Sequence, residues 1–81
     1  MRVRITETTH HGDTYKARYR IMSDASEVRD FLTASPYNNA GSSLEVALTA
    51  HTLSILSGGP VYLTGASLEF GWATYTLTRL D

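Results

Sequence analysis

The sequence predicts an α+β domain, an antiparallel sheet of about four strands with two helices on one face, in the order ββααββ. Three observations predict it. Apolar residues alternate with period two near both ends of the chain. The middle switches to helical spacing. The length, 81 residues, admits one domain, spanning residues 1–81, with a small core.

Residues 2–9 place Val3 and Ile5 on one parity and Arg2, Arg4, Thr6 and Thr8 on the other. That alternation of β-branched residues is a strand. Residues 15–22 repeat it. Tyr15, Ala17, Tyr19 and Ile21 share one parity; Lys16, Arg18 and Arg20 share the other. The turn-rich stretch from His10 to Thr14 joins the two into a hairpin. Keeping all apolar residues on one face pairs Ile5 with Tyr19 and Val3 with Ile21, across a loop of about five residues. The opposite face then sets Arg4 across from Arg20 and Thr6 across from Arg18. Like charges directly opposite repel, so either acidic side chains or an anionic partner would relieve this face.

Residues 24–35 follow as a helix. Asp24 (or Ser23) is its N-cap, Glu27 completes a capping box, and Ala25, Val28, Phe31 and Leu32 form its apolar stripe. Ser35-Pro36 ends it, because the residue before proline is steered out of the α region. Residues 37–41 are a loop, and Asn38-Asn39 there is turn chemistry. A second helix covers residues 43–57, with a capping box from Ser42 to Glu45. Its stripe is Leu44, Ala47, Leu48 and Ile55, widened by Val46, Ala50 and Leu53, with His51 as a core or boundary residue. Gly58, Gly59 and Pro60 stop it. Strand character returns at Val61–Thr64 and is broken by Gly65. Residues 67–70 are either a short strand or a continuation past a bulge. Residues 72–80 close the chain as a Thr-rich strand, with Ala73, Tyr75 and Leu77 on one face and Trp72, Thr74, Thr76 and Thr78 on the other.

Composition excludes several function classes. There is no cysteine, so neither a disulfide framework, a zinc knuckle nor a thiol nucleophile is possible. Small secreted domains usually need such staples, which points to an intracellular, cytoplasmic location. The N-terminus lacks the apolar segment of a signal peptide, and no run has the length of a membrane helix. Starting at Met and structured almost at once, the chain reads as a complete small gene product. No nucleophile motif, phosphate loop or metal-ligand spacing is present. His10, His11 and Asp13 are adjacent turn residues that do not face one ion. No enzyme activity, cofactor or metal is expected.

The net charge of −1 conceals an asymmetry. Five of the seven cationic residues, Arg2, Arg4, Lys16, Arg18 and Arg20, lie in the first 22 residues, against Glu7 and Asp13. Asp24, Glu27, Asp30, Glu45, Glu69 and Asp81 follow, against Arg29 and Arg79. The candidate contact residues are therefore the basic set Arg2, Arg4, Lys16, Arg18 and Arg20, an acidic set Asp24, Glu27 and Asp30, and Trp72 as the aromatic anchor. Tyr15 and Tyr19 lie opposite the arginines and are assigned to the core.

The run Ile5-Thr6-Glu7-Thr8, then Gly12, Tyr15 and an arginine-rich second strand, resembles the opening of some small phage-encoded anti-CRISPR proteins. The resemblance covers the first quarter of the chain. It implies a binding protein in the host bacterial cytoplasm that attaches to a type I CRISPR surveillance (Cascade) complex or its nuclease and blocks target DNA binding or cleavage; the Cascade complex and its DNA binding are the first expectation. Many such inhibitors are acidic DNA mimics, and this chain departs from that pattern in being nearly neutral with basic strands. The alternative is a small nucleic-acid-binding or regulatory module using the basic hairpin. Monomer and homodimer are both compatible with the sequence, since a small sheet has edges to cover.

Overall fold

A computed structural model describes residues 1–11, 14–34, 41–58, 65–70 and 73–80, with the backbone alone at residues 10, 11, 14, 15 and 65–70. The class is α+β, an antiparallel sheet and two helices. Strands β1 (Arg2–His11), β2 (Thr14–Met22) and β4 (Ala73–Leu80) form the body of the sheet, with β1 central. Gly65–Phe70 (β3) runs along the other side of β4, giving the order β2-β1-β4-β3. Gly65 is thus the first residue of a strand that includes residues 67–70. The stretches at 35–40, 59–64 and 71–72, including Trp72 and the strand-like Val61–Thr64, lie outside the described residues.

The inward row of β1 begins apolar and becomes polar. Val3 and Ile5 are fully buried, and Glu7 and Thr9 are buried beyond them. On β4, Leu77, Tyr75 and Ala73 lie opposite Ile5, Glu7 and Thr9 and are also buried. Period-two alternation with every second residue inward produces this row.

The register of β1 with β2 differs from the sequence expectation by one residue. Ile5 pairs with Arg20 and Val3 with Met22, and the ladder continues to His11 opposite Thr14. Residues 12 and 13 alone connect the strands, in place of a five-residue loop. An even-numbered connection reverses which parity of β2 shares the face of Val3 and Ile5. Tyr19 and Ile21 therefore point outward, 68% and 45% exposed, and are not core residues. Arg4 lies opposite Ile21 and Thr6 opposite Tyr19, so the Arg4–Arg20 and Thr6–Arg18 juxtapositions do not exist. Lys16, Arg18, Arg20 and Met22 occupy the inward row.

Helix α1 (Glu27–Thr33) starts later than expected. Asp24 instead opens a turn, its Oδ1 accepting from the Ser26 N–H at 2.8 Å. Glu27 supplies the reciprocal arm of the capping box, its Oε2 accepting from the backbone N–H groups of Asp24 (3.2 Å) and Ser23 (2.9 Å). Val28, Phe31 and Leu32 are buried, and Ala25 just before the helix is buried too. The stripe read from the sequence is the buried one.

Helix α2 (Ser43–Leu56) has Ser42 at its N-cap in extended backbone, but the Ser42 side chain makes no cap bond. Glu45 accepts instead from the Gly41 N–H at 2.9 Å. Leu44, Leu48, Thr52 and Ile55 are buried, while Val46 and Leu53 are 70% and 53% exposed. Val46, Ala50 and Leu53 thus form an outward stripe and do not widen the core face. Thr52 takes the inward position between Leu48 and Ile55, with His51 half-buried beside it. Its hydroxyl donates to the Leu48 carbonyl at 2.7 Å, which satisfies it without a partner outside the helix. Beyond the C-cap Ser57 comes Gly58, whose φ of +71° favours glycine and whose N–H donates to the Ile55 carbonyl at 3.2 Å.

One cluster joins the layers: Val3, Ile5, Met22, Ala73, Tyr75 and Leu77 from the sheet, with Val28, Phe31, Leu32, Leu44, Leu48 and Ile55 from the helices. Both helices bury their stripes against the inward rows. Among the described residues, no element covers the opposite face of the sheet.

Candidate functional site

The register divides the basic residues between two environments. Arg2 and Arg4 stay on the outer face, exposed. Lys16, Arg18 and Arg20 are turned toward the helix layer, so the five cations do not form one patch.

Arg18 is held most firmly. Its Nε donates to Glu7 Oε1 at 2.7 Å, and its Nη2 donates to Glu7 Oε2 at 3.4 Å and to the Phe31 carbonyl at 2.7 Å. Its guanidinium carbon lies 3.7 Å from the centre of the Phe31 ring, a cation–π contact. Tyr75 donates its hydroxyl to Glu7 Oε2 at 2.5 Å. The Glu7 side chain is 4% exposed and that of Arg18 31%. A carboxylate so buried requires a partner charge and hydrogen bonds, and this arrangement supplies both. It ties β1, β2, β4 and α1 together at one point.

Arg20 donates to Glu27 Oε1 from Nε (3.2 Å) and Nη2 (3.0 Å), joining β2 to the start of α1. Arg29 pairs with Glu45 at 3.1 Å and joins the two helices. Between them lies a shallow groove of about 240 Å³, lined by Ala25, Ser26, Arg29, Glu45 and Thr49. Its two charged side chains already satisfy each other.

The acidic candidates are likewise engaged in the fold. Backbone hydrogen bonding from Ser26 holds Asp24 below its usual 3.8. The Ser23 N–H and then Arg20 hold Glu27 below its usual 4.5. Hydrogen bonds from Arg29 and the Gly41 N–H lower Glu45 in the same way, and Glu45 in turn raises Arg29. Asp30 is exposed on α1. Asp24, Glu27 and Glu45 therefore act as caps and ion-pair partners.

These shifts predict the acid response. The folded-state values lie below the unfolded ones, so on acidification the unfolded chain takes up protons first. The stability that these carboxylates contribute is complete above about pH 5 and is lost as the pH falls below about 4. Urea melts should show a lower midpoint at about pH 3 than at about pH 6, and Glu27→Gln should reduce the difference. A midpoint independent of pH over that range would contradict the assignment.

The outer face carries what the sequence did not locate. Reading across the strands, one row is Ile21, Arg4 and Thr78, the next is Tyr19, Thr6 and Thr76, and the next is Ala17, Thr8 and Thr74. Tyr19 and Ile21 are the large exposed apolar side chains of the described sheet, side by side on β2 and flanked by arginine and threonine. Their signal was Glu7. Its place on the inward parity with Val3 and Ile5 demanded a cation opposite, which only the reversed parity of β2 provides.

Among the described residues, no group of three or more His, Asp or Glu side chains is placed to hold a metal ion. No described helix is long and apolar enough to cross a membrane. No family model matches the chain, and neither a curated protein nor a solved structure matches it.

Proposed function

We propose that this chain is a non-enzymatic binding protein that acts by occlusion, docking the outer face of its sheet on a protein partner. The frame assigned to it is the full ββααββ order, with β3 as the fourth strand and both helices behind the docking face. The observation that carries this is the exposure of Tyr19 and Ile21 at adjacent outward positions, with Arg4 and Thr6 beside them. Their outward placement leaves an apolar, aromatic patch on the edge strand β2 with Arg4 and Thr6 beside it, an aromatic anchor next to polar side chains as interfaces have.

The resemblance of the N-terminal quarter names the first partner to test: a type I CRISPR surveillance complex whose binding to target DNA would be blocked. The nucleic-acid alternative required five cations on one face. Two remain there, and phosphate neutralisation by two arginines supports little affinity at ordinary salt.

The experiment is gel filtration of the protein with purified type I surveillance complex, followed by a target-DNA shift assay. Co-elution and loss of the DNA shift are expected. Tyr19→Ala combined with Ile21→Ala should abolish both effects while leaving the melting temperature within a few degrees. Separate elution with an unchanged DNA shift would overturn the named partner.

A further inference from the structure

We infer that the outer sheet face recognises an acidic protein surface, with Arg2 and Arg4 meeting carboxylates beside an apolar contact made by Tyr19 and Ile21. This rests on the docking face proposed above and adds the chemistry of its partner.

The fold pairs some of its cations internally and leaves others on the surface. Arg18, Arg20 and Arg29 are taken up by Glu7, Glu27 and Glu45. Arg79 and Lys16 hold inner-row positions opposite Val3 and Thr9, off this face. Arg2 and Arg4 are exposed and form no ion pair with a described residue. The neighbours of Arg4 on its face are Ile21 and Thr78 across the strands and Arg2 and Thr6 along its own. None is acidic. Glu69 holds a register position opposite Thr74, two rows along and two strands across from Arg4. Strand spacing makes that roughly 15 Å, beyond the screening length of about 8–10 Å in ordinary buffer. Among the described residues, the end of the face near Arg4 therefore presents positive charge alone.

That pattern discriminates among occupants. A second copy stacked face to face would bring four arginines together against one Glu69 register position from each copy, leaving charge buried and unpaired, which is costly. A nucleic acid would draw on many cations and a favourable net charge, whereas the face offers two arginines and the chain carries −1. An acidic protein surface satisfies the arginines and also uses Tyr19 and Ile21.

The test uses three labelled probes: a short peptide rich in Glu and Leu, its counterpart with Lys for Glu, and oligo(dT). Amide shifts in the NMR spectrum locate binding, and label anisotropy gives affinity. The acidic peptide should shift the amides of Arg4, Thr6, Tyr19, Ile21 and Thr76, and bind at least about tenfold more tightly than the basic one. Arg4→Glu should remove that preference, and Arg4→Gln should weaken it, with melting temperatures confirming that both variants fold. Equal binding of the two peptides, shifts confined to α1 and α2, or a preference for oligo(dT) would each overturn the inference. Capture of the surveillance complex by an Arg2→Glu, Arg4→Glu variant would overturn it while leaving the proposed function standing. Acidic-peptide binding at this face without capture of the complex would support the inference and remove the named partner.

Discussion

Replacing Glu7 by alanine lowers the unfolding free energy by about 2–4 kcal/mol, a large part of what a domain of this size has. The substitution removes the acceptor used by Arg18 and by the Tyr75 hydroxyl. Arg18 is left partly buried against Phe31 with the Phe31 carbonyl as its remaining acceptor. Breaking one side of a buried pair typically costs about 3–5 kcal/mol. The partial exposure of Arg18 lets water answer some of its charge and brings the figure down. Denaturant titration of Glu7→Ala, Arg18→Ala and the double variant measures the interaction directly. A coupling of at least about 1 kcal/mol is expected. The alternative register, with Ile5 opposite Tyr19, would put Glu7 and Arg18 on opposite faces of the sheet. A coupling near zero would therefore refute the observed hairpin register. An apolar pair, Glu7→Leu with Arg18→Met, should recover part of the loss, because the desolvation cost disappears with the charges while the Glu7 acceptor of the Tyr75 hydroxyl stays lost.

Much of the fold was legible because most of its elements follow the rule that apolar parity faces the core. Val3 and Ile5, Ala73, Tyr75 and Leu77, and Ala25, Val28, Phe31 and Leu32 are buried as their spacing requires. Strand β2 breaks the rule. Tyr15, Ala17, Tyr19 and Ile21 make the more apolar parity, yet the inward row is Lys16, Arg18, Arg20 and Met22. The inward side of β2 holds its charges because carboxylates stand opposite, Glu7 from β1 and Glu27 from α1. Counting apolar residues on one strand cannot register an ion pair made with two other elements. Helix α2 shows a second limit. Leu44, Leu48 and Ile55, read as its stripe, are buried, but Val46, Ala50 and Leu53, read as widening that face, point outward. Thr52 is buried on the inward side because its hydroxyl is satisfied by its own helix.

The candidate site was half legible for the same reason. Arg2 and Arg4 were placed on the outer parity of β1, and they are exposed there. Arg18, Arg20, Asp24 and Glu27 were counted as surface charge, but each is occupied by a hydrogen bond or ion pair within the fold. Tyr19 and Ile21 were assigned to the core and are exposed. The basic face and the aromatic core were thus exchanged by one step of register. A patch argued from sequence charge alone is only as secure as the parity of the strand that carries it.

Phe31→Ala is the substitution expected to loosen the molecule most locally. Helix α1 has seven residues, too few to persist without tertiary contacts. Phe31 is 3% exposed and supplies two of those contacts, apolar burial in the shared core and the face on which Arg18 rests. Truncation should cost about 3–5 kcal/mol, as large-to-small changes at buried aromatic positions do. Phe31→Leu keeps most of the buried area but not the ring, and should cost about 1–2 kcal/mol. The distribution of the loss is as informative as its size. Hydrogen exchange at Val28, Phe31 and Leu32 should rise first, while the β1–β4 ladder keeps its protection until global unfolding. Uniform loss of protection across α1 and the sheet would mean that the helix is not a separable layer. Equal destabilisation by Ala and Leu would assign the whole effect to the ring and none to its volume.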